Sequence, residues 1–190
     1  MTRVFVDTNV LFPFSVMDLM LALTEDGVHE VLWTQALLAE WERVIVRAQR
    51  RSAASAAAIT AAIREYFADS EVPEPAYVHL IEQMPGKDPD DRVHMAAAVA
   101  GHAAAIVTWN LADFPAEDLA SRGVRVCTPD DYLCGLLDVW PAEILDTLVR
   151  MAGEKSRPPM TPADLADSLS KAGVPAFAQR LQAMLVDQQG

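Results

Sequence analysis

Acidic residues stand at four places along the chain where a carboxylate needs a partner. Asp7 closes the apolar run Val4-Phe5-Val6, which is too short for a helix and suits a buried strand. Glu40 sits among apolar neighbours in Leu37-Leu38-Ala39-Glu40-Trp41. Asp88, Asp90 and Asp91 surround the start of an alanine-rich segment, and Asp113 follows another apolar run in Thr108-Trp109-Asn110-Leu111-Ala112-Asp113. A carboxylate at the end of a buried strand loses hydration and persists there when paired, hydrogen-bonded or bound to a cation. Mg2+ and Mn2+ take oxygen ligands, and Mg2+ keeps several waters. Crowded carboxylates holding one or two such ions activate water and stabilise in-line attack on a phosphodiester. That chemistry needs neither histidine nor cysteine. No G-x-G-x-x-G, Walker A or G-x-S-x-G pattern occurs, so dinucleotide, P-loop and hydrolase-elbow chemistry have no support.

Each acid also has an ordinary role to weigh. Asp7 could cap the next helix. Glu40 could pair with Arg43 three residues on, worth only ~0.2–0.5 kcal/mol. At least one of Asp88, Asp90 and Asp91 is expected to cap a helix or face its dipole, and Asp113 alone reads as a turn acid. Their order and placement together favour a shared site. Arg43, Arg47 and Arg50 or Arg51 follow Glu40 at helical spacing. That stripe suits a phosphate backbone, an acidic partner segment or a solvated face. His94 reads as a helix-surface residue or as one that supports the acids from behind. Trp33, Trp41 and Trp109 read as core or rim, with Trp109 in reach of a splayed base beside Asn110.

The elements that must position these groups alternate. Strands are expected at residues 3–6, 30–33, 105–108 and 124–127, and helices at 11–24, from Thr34 through Ile45, at 52–68, 89–100 and 129–137. Residues 72–75 read as a break, and 78–84 are ambiguous. Strands separated by helices argue for a parallel sheet with helices on its faces. Residues 154–162 read as a linker. Thr161-Pro162-Ala163-Asp164 then offers a hydroxyl cap, a first-position proline and a first-turn acid. Gly173 ends that helix, and Phe177, Leu181, Met184 and Leu185 form the apolar stripe of another. Two short amphipathic helices cannot hold a core alone, so they are expected to pack on the main domain, a second subunit or a partner. The expected division is a nuclease-like domain at 1–137 and a helical extension at 138–190.

The chain has 190 residues, enough for one domain with an appendage. No apolar run reaches the length of a membrane span. The two cysteines, Cys127 and Cys134, form no C-x-x-C motif, so a reduced cytoplasm is the expected setting. The net charge of −12 argues against broad electrostatic capture of nucleic acid. It leaves room for an enzyme whose acids hold cations, and it suits a basic partner.

The series Val-Phe-Val-Asp-Thr-Asn-Val, a Glu in an apolar helix, Asp-Pro-Asp-Asp-Arg-Val-His-Met-Ala-Ala-Ala, and Ile-Val-Thr-Trp-Asn-Leu-Ala-Asp-Phe-Pro resembles the PIN domains. It is most similar to the PIN ribonucleases of bacterial toxin–antitoxin modules, the VapC type. The resemblance covers roughly residues 1–137. It implies a three-layer α/β/α fold with a central parallel sheet, Mg2+ or Mn2+ as cofactor, and endonuclease activity on RNA. The implied partners are RNA, a cognate antitoxin and further copies of the chain in a homodimer or higher homo-oligomer. Asp7, Glu40 and Asp113 match the family's acidic positions. Asp91 is taken as the remaining acid, because Arg92, Val93 and the alanines follow it in the family's order, with Asp90 auxiliary. Asp7, Asp91 and Asp113 are the implied metal ligands, and Asn9, Thr108 and Asn110 position acids or waters. Many PIN domains carry an acid where Asn110 stands, which leaves the number of metals open. The stripe of Arg43, Arg47 and Arg50 is the candidate surface for RNA or antitoxin. Competing readings are a non-catalytic PIN-like module that binds a partner, and a nuclease acting in RNA processing or on DNA.

Overall fold

A computed structural model describes residues 1–187, so the last three residues of the expected extension lie outside the described residues. The elements run β1 (Thr2–Val6), α1 (Phe14–Glu25), β2 (His29–Leu32), α2 (Gln35–Arg47), α3 (Ala53–Tyr66), α4 (Glu74–Tyr77), α5 (Pro89–Ala100), β3 (Ala105–Val107), α6 (Ala116–Ala120) and β4 (Arg125–Cys127). Four more helices follow among the described residues: α7 (Pro129–Val139), α8 (Pro141–Glu154), α9 (Pro162–Lys171) and α10 (Pro175–Asp187). Contacts group the chain into two compact units. One holds Thr2–Phe12 with Glu30–Cys127, and the other holds Met1, Pro13–His29 and Thr128–Gly190.

The first unit is built on the sheet, with strand order β2-β1-β3-β4. β1 pairs with β3 in parallel, Val6 opposite Val107, and β3 pairs with β4 in parallel, Val107 opposite Cys127. Val4, Phe5, Val6, Ile106 and Val107 have no exposed surface. Unbroken apolar runs of this kind are what central parallel strands require, since both faces are covered. α5 packs on β1 and β3. Asp88 caps it by accepting the Asp90 N–H at 2.9 Å, and Pro89 takes the first turn. Its alanines let the helix lie close to the sheet. α2 starts at the Thr34 cap, whose hydroxyl accepts the Leu37 N–H at 3.0 Å, and buries Leu37, Leu38, Trp41 and Ile45. The ambiguous stretch forms a 3-10 turn at Val78–Gln83.

The second unit is helical. α1 starts at Phe14, three residues later than expected from the apolar pattern, because Pro13 occupies the N-cap. Before it, Phe12 N–H bonds back to the Asn9 carbonyl at 3.3 Å. α8 was not anticipated, although Pro141 opens it and Ile144, Leu145, Leu148, Met151 and Ala152 form its buried stripe. α9 and α10 pack on each other and on α1, α7 and α8. The Thr161–Asp164 capping box starts α9 as its sequence requires. Asp130 of α7 accepts the backbone N–H groups of Ala176 and Phe177 at 3.0 and 2.8 Å, so the start of α10 is capped from another helix. No helix among the described residues is long and apolar enough to cross a membrane.

Candidate acidic active site

Every residue singled out for the site lies in the unit with the sheet. In that sheet β1 is flanked by β2 on one side and β3 on the other, so the order reverses at the β1/β3 junction. Ligands of open α/β sheets bind at such junctions, beyond the carboxyl ends of the strands. Asp7 and Thr108 stand there, one residue past β1 and β3 respectively.

Asp7 is 7% exposed. Its backbone N–H continues the ladder to the Val107 carbonyl at 3.0 Å. Its Oδ2 accepts Thr108 Oγ1–H at 2.7 Å and Asn9 Nδ2–H at 2.6 Å. The Asp7 side chain caps no helix, which removes the ordinary role weighed for it. Asn9 also accepts the Trp109 N–H through Oδ1 at 3.3 Å, and Thr108 Oγ1 accepts the Asn110 N–H at 2.9 Å. These short polar side chains tie the loop after β1 to the loop after β3.

Glu40 reaches the same region from α2. Its Oε2 accepts Thr8 Oγ1–H at 3.0 Å and lies 3.2 Å from His94 Nε2. Arg43 makes no ion pair with it. His94 is the residue that sequence reasoning underrated. It is buried on α5 rather than on the helix surface, with Nδ1 3.6 Å from Asp7 Oδ1 and its ring 5.5 Å from that of Phe5. At 3.6 Å the Asp7 contact is a charge pair and not a hydrogen bond, which leaves Nδ1 buried without a hydrogen-bond partner. Burial pushes the His94 pKa down, but Asp7 and Glu40 together outweigh it and hold the value at about 9. The interaction with His94 in turn lowers the Glu40 pKa, against the opposing effect of burial. The signal for His94 was its spacing: three residues after Asp91 places both on one helix face.

Asp91 is half-buried near the start of α5. Burial raises its pKa to about 6, and Asp88, Asp7 and Asp113 add to the rise in that order. Asp90 beside it is exposed. Asp113 is exposed in the 3-10 turn after β3, where Asn110 Nδ2–H donates to its Oδ2. Arg43, Arg47 and Arg50 are exposed and form no ion pair among the described residues. Arg43 and Arg47 lie three and seven residues beyond Glu40, on its side of α2 and roughly 4.5 and 10.5 Å along the axis. The Arg50 guanidinium lies 5.7 Å from the centre of the Phe12 ring, which joins the stripe to the loop after Asp7.

No three Asp, Glu, His or Cys side chains among the described residues form a closed group around one ion position. Mg2+ does not require one, since it is commonly held by one or two carboxylates, waters and substrate phosphate. The donors fit such an ion in kind: hard oxygens, crowded enough that Asp91 responds to three other carboxylates. The hydrogen bonds to Asp7, Glu40 and Asp113 all fall on one oxygen of each acid, leaving the other without a hydrogen-bond donor.

A family profile described as the PIN domain matches residues 3–112. The chain belongs to the PIN-domain family. Its parallel sheet and interleaved helices are the α/β/α class expected of that family, with further helices at the C-terminal end. A second profile, the VapC50 C-terminal domain, matches residues 129–183. Over 90 residues the chain is 37% identical to "Putative ribonuclease VapC50" of Mycobacterium tuberculosis. That alignment covers 47% of this chain and 53% of the relative, so the match spans about half of each. No solved structure matches. Asp7, Glu40, Asp90 and Asp91 fall inside the residues matched by the PIN profile, and Asp113 lies one residue past them.

Proposed function

We propose that the chain is a divalent-metal-dependent endoribonuclease of the VapC type, acting as the toxin of a toxin–antitoxin pair. The observation that carries this reading is the buried Asp7 carboxylate at the junction where α/β folds take ligands, held by Thr108 and Asn9 and joined to Glu40 through His94. The family match supports it. A bound Mg2+ or Mn2+ would offset phosphate charge and activate water. Asp7, Asp91 and Asp113 are the residues to hold it, with Asp90 at the margin.

The chain's own groups have separable tasks. Asn9 and Thr108 fix the rotation of Asp7. Thr8 and His94 fix Glu40, and Asn110 fixes Asp113. Arg43, Arg47 and Arg50 offer cations along a path leading from Glu40, where successive phosphates can be met. The −12 charge suits capture by a basic antitoxin more than tight, unspecific hold on RNA. One observation favours the competing non-catalytic module: His94 already supplies a cation to Asp7 and Glu40.

Cleavage of single-stranded RNA with Mg2+ or Mn2+ decides between them. Asp7→Asn should reduce cleavage by more than roughly 100-fold, beyond the loss of an outer supporting partner. Its circular dichroism should match that of the native chain. Equal cleavage by both proteins would sink the site, and metal binding without cleavage by the native chain would establish the module.

A further inference from the structure

We propose that the exposed indole of Trp109 is a platform on which the substrate RNA stacks a base beside the scissile phosphate. This rests on the ribonuclease reading and adds a specific contact to it. The tryptophans of the sheet unit divide sharply. Trp33 and Trp41 are 3% and 1% exposed, and their indole N–H groups donate to the carbonyls of Phe67 and Leu11 at 2.8 and 2.9 Å. Trp109 is 36% exposed, and its indole N–H has no partner among the described residues. Leu111, two residues on, is 45% exposed. Large apolar side chains are thus left at the surface of the one loop that also carries Asn110 and Asp113.

Position argues for a base as the occupant. Trp109 directly follows Thr108, whose hydroxyl holds Asp7, and consecutive Cα atoms are about 3.8 Å apart. Its backbone N–H is fixed by Asn9, which also holds Asp7. A phosphodiester at the acids therefore brings its own nucleotide to the loop that carries this ring. Single-stranded RNA presents splayed bases that stack on aromatic side chains. Stacking needs no positive charge, which matters in a chain with 15 cationic and 27 anionic residues. Where the electrostatic hold on the backbone is weak, an aromatic face is the remaining general means of gripping a strand.

The test uses the full chain with Trp140→Phe, since Trp140 is the other exposed tryptophan and lies in the helical unit. Short single-stranded RNAs should then quench the part of the emission that Trp109→Ala removes, since Trp33 and Trp41 are buried. Trp109→Ala should raise KM about 10-fold or more with kcat changed far less, and Trp109→Phe should restore most of the loss. An RNA with one abasic nucleotide at the mapped cleavage site should lose as much affinity as Trp109→Ala. The two losses should not add when combined. RNA cleaved normally, with unaltered emission and equal KM for native and Trp109→Ala, would overturn the platform while leaving the ribonuclease reading intact. Fully additive losses would overturn it too. A native chain that cleaves no RNA with either metal would remove the ribonuclease reading and the platform with it.

Discussion

Replacing His29 by leucine should change how stability depends on pH, in a direction that the geometry fixes. His29 has no exposed surface. Its Nε2 lies 2.8 Å from the Met20 carbonyl and its Nδ1 lies 2.9 Å from the Tyr132 hydroxyl. A carbonyl only accepts, so Nε2 carries the hydrogen and Nδ1 receives the tyrosine proton; the neutral ring satisfies both contacts. Burial lowers the pKa from 6.5 to about 4, against the opposing pull of the Met20 hydrogen bond. The folded ring therefore stays neutral where the unfolded one protonates. The stability from that neutral ring is fully present above pH 6.5 and is lost as pH falls through about 4. The slope is about 1.4 kcal/mol per pH unit, or roughly 3 kcal/mol over the window. Against a total of about 5–15 kcal/mol, that is large. Urea unfolding of the native chain and His29→Leu at pH 7.5, 6.5, 5.5 and 4.5 isolates it, because carboxylates titrate alike in both proteins. At pH 7.5 the variant should be weaker by about 1–3 kcal/mol, with the Met20 carbonyl deprived of its imidazole donor. The gap should close or reverse by pH 4.5. A gap that stays constant across the series would refute a neutral, buried His29.

His94 should show the opposite sign. Its pKa is raised to about 9, so its contribution is complete below pH 6.5 and disappears as pH rises through 9. In chelator, His94→Leu should lose stability at pH 6 near the lower end of roughly 3–5 kcal/mol, because Glu40 is partly solvated. The deficit should narrow by pH 9 in urea unfolding, and one that widens would contradict the pairing. Asp130→Ala should cost about 1–2 kcal/mol, as loss of an N-cap does. The Ala176 and Phe177 amides should exchange with solvent faster, and unchanged exchange would show that Asp130 does not hold the start of α10.

Legibility in the sequence followed the range of the physics. Caps are local, so Thr34, Asp88-Pro89 and Thr161-Pro162 announce their helices within four residues. The apolar runs at Val4–Val6 and Ala105–Val107 announce buried strands for the same reason. Pro13 moved the start of α1 because a pattern of apolar residues does not register where a helix can begin. α8 was missed despite its stripe, since it follows α7 with only Trp140 between them. The bond from Thr108 to Asp7 crosses 101 positions and depends on the β1/β3 register, which no local pattern encodes. The acids could be grouped from topology, but the insertion of His94 between Asp7 and Glu40 depends on how α5 is rotated against the sheet.

The arrangement of donors holds the acids of this site in fixed orientations. A fully solvated carboxylate would be mobile, and a fully hydrogen-bonded one would have no lone pairs to offer. Here Thr108 and Asn9 take one oxygen of Asp7, Thr8 takes one oxygen of Glu40, and Asn110 takes one oxygen of Asp113. Each acid is oriented through one oxygen; the second oxygen of Asp7 faces His94 Nδ1 at 3.6 Å, while those of Glu40 and Asp113 have no hydrogen-bond donor. The supporting donors are hydroxyls and amides, so they orient without neutralising. The balancing charge comes from His94, whose contact with Asp7 is the longer of its two. Under the proposed metal binding at Asp7, the longer His94 contact is the one to give way, and His94 stays paired with Glu40. Glu40 is the more open of the two acids, its side chain 24% exposed against 10% for Asp7, and both lie within reach of one imidazole.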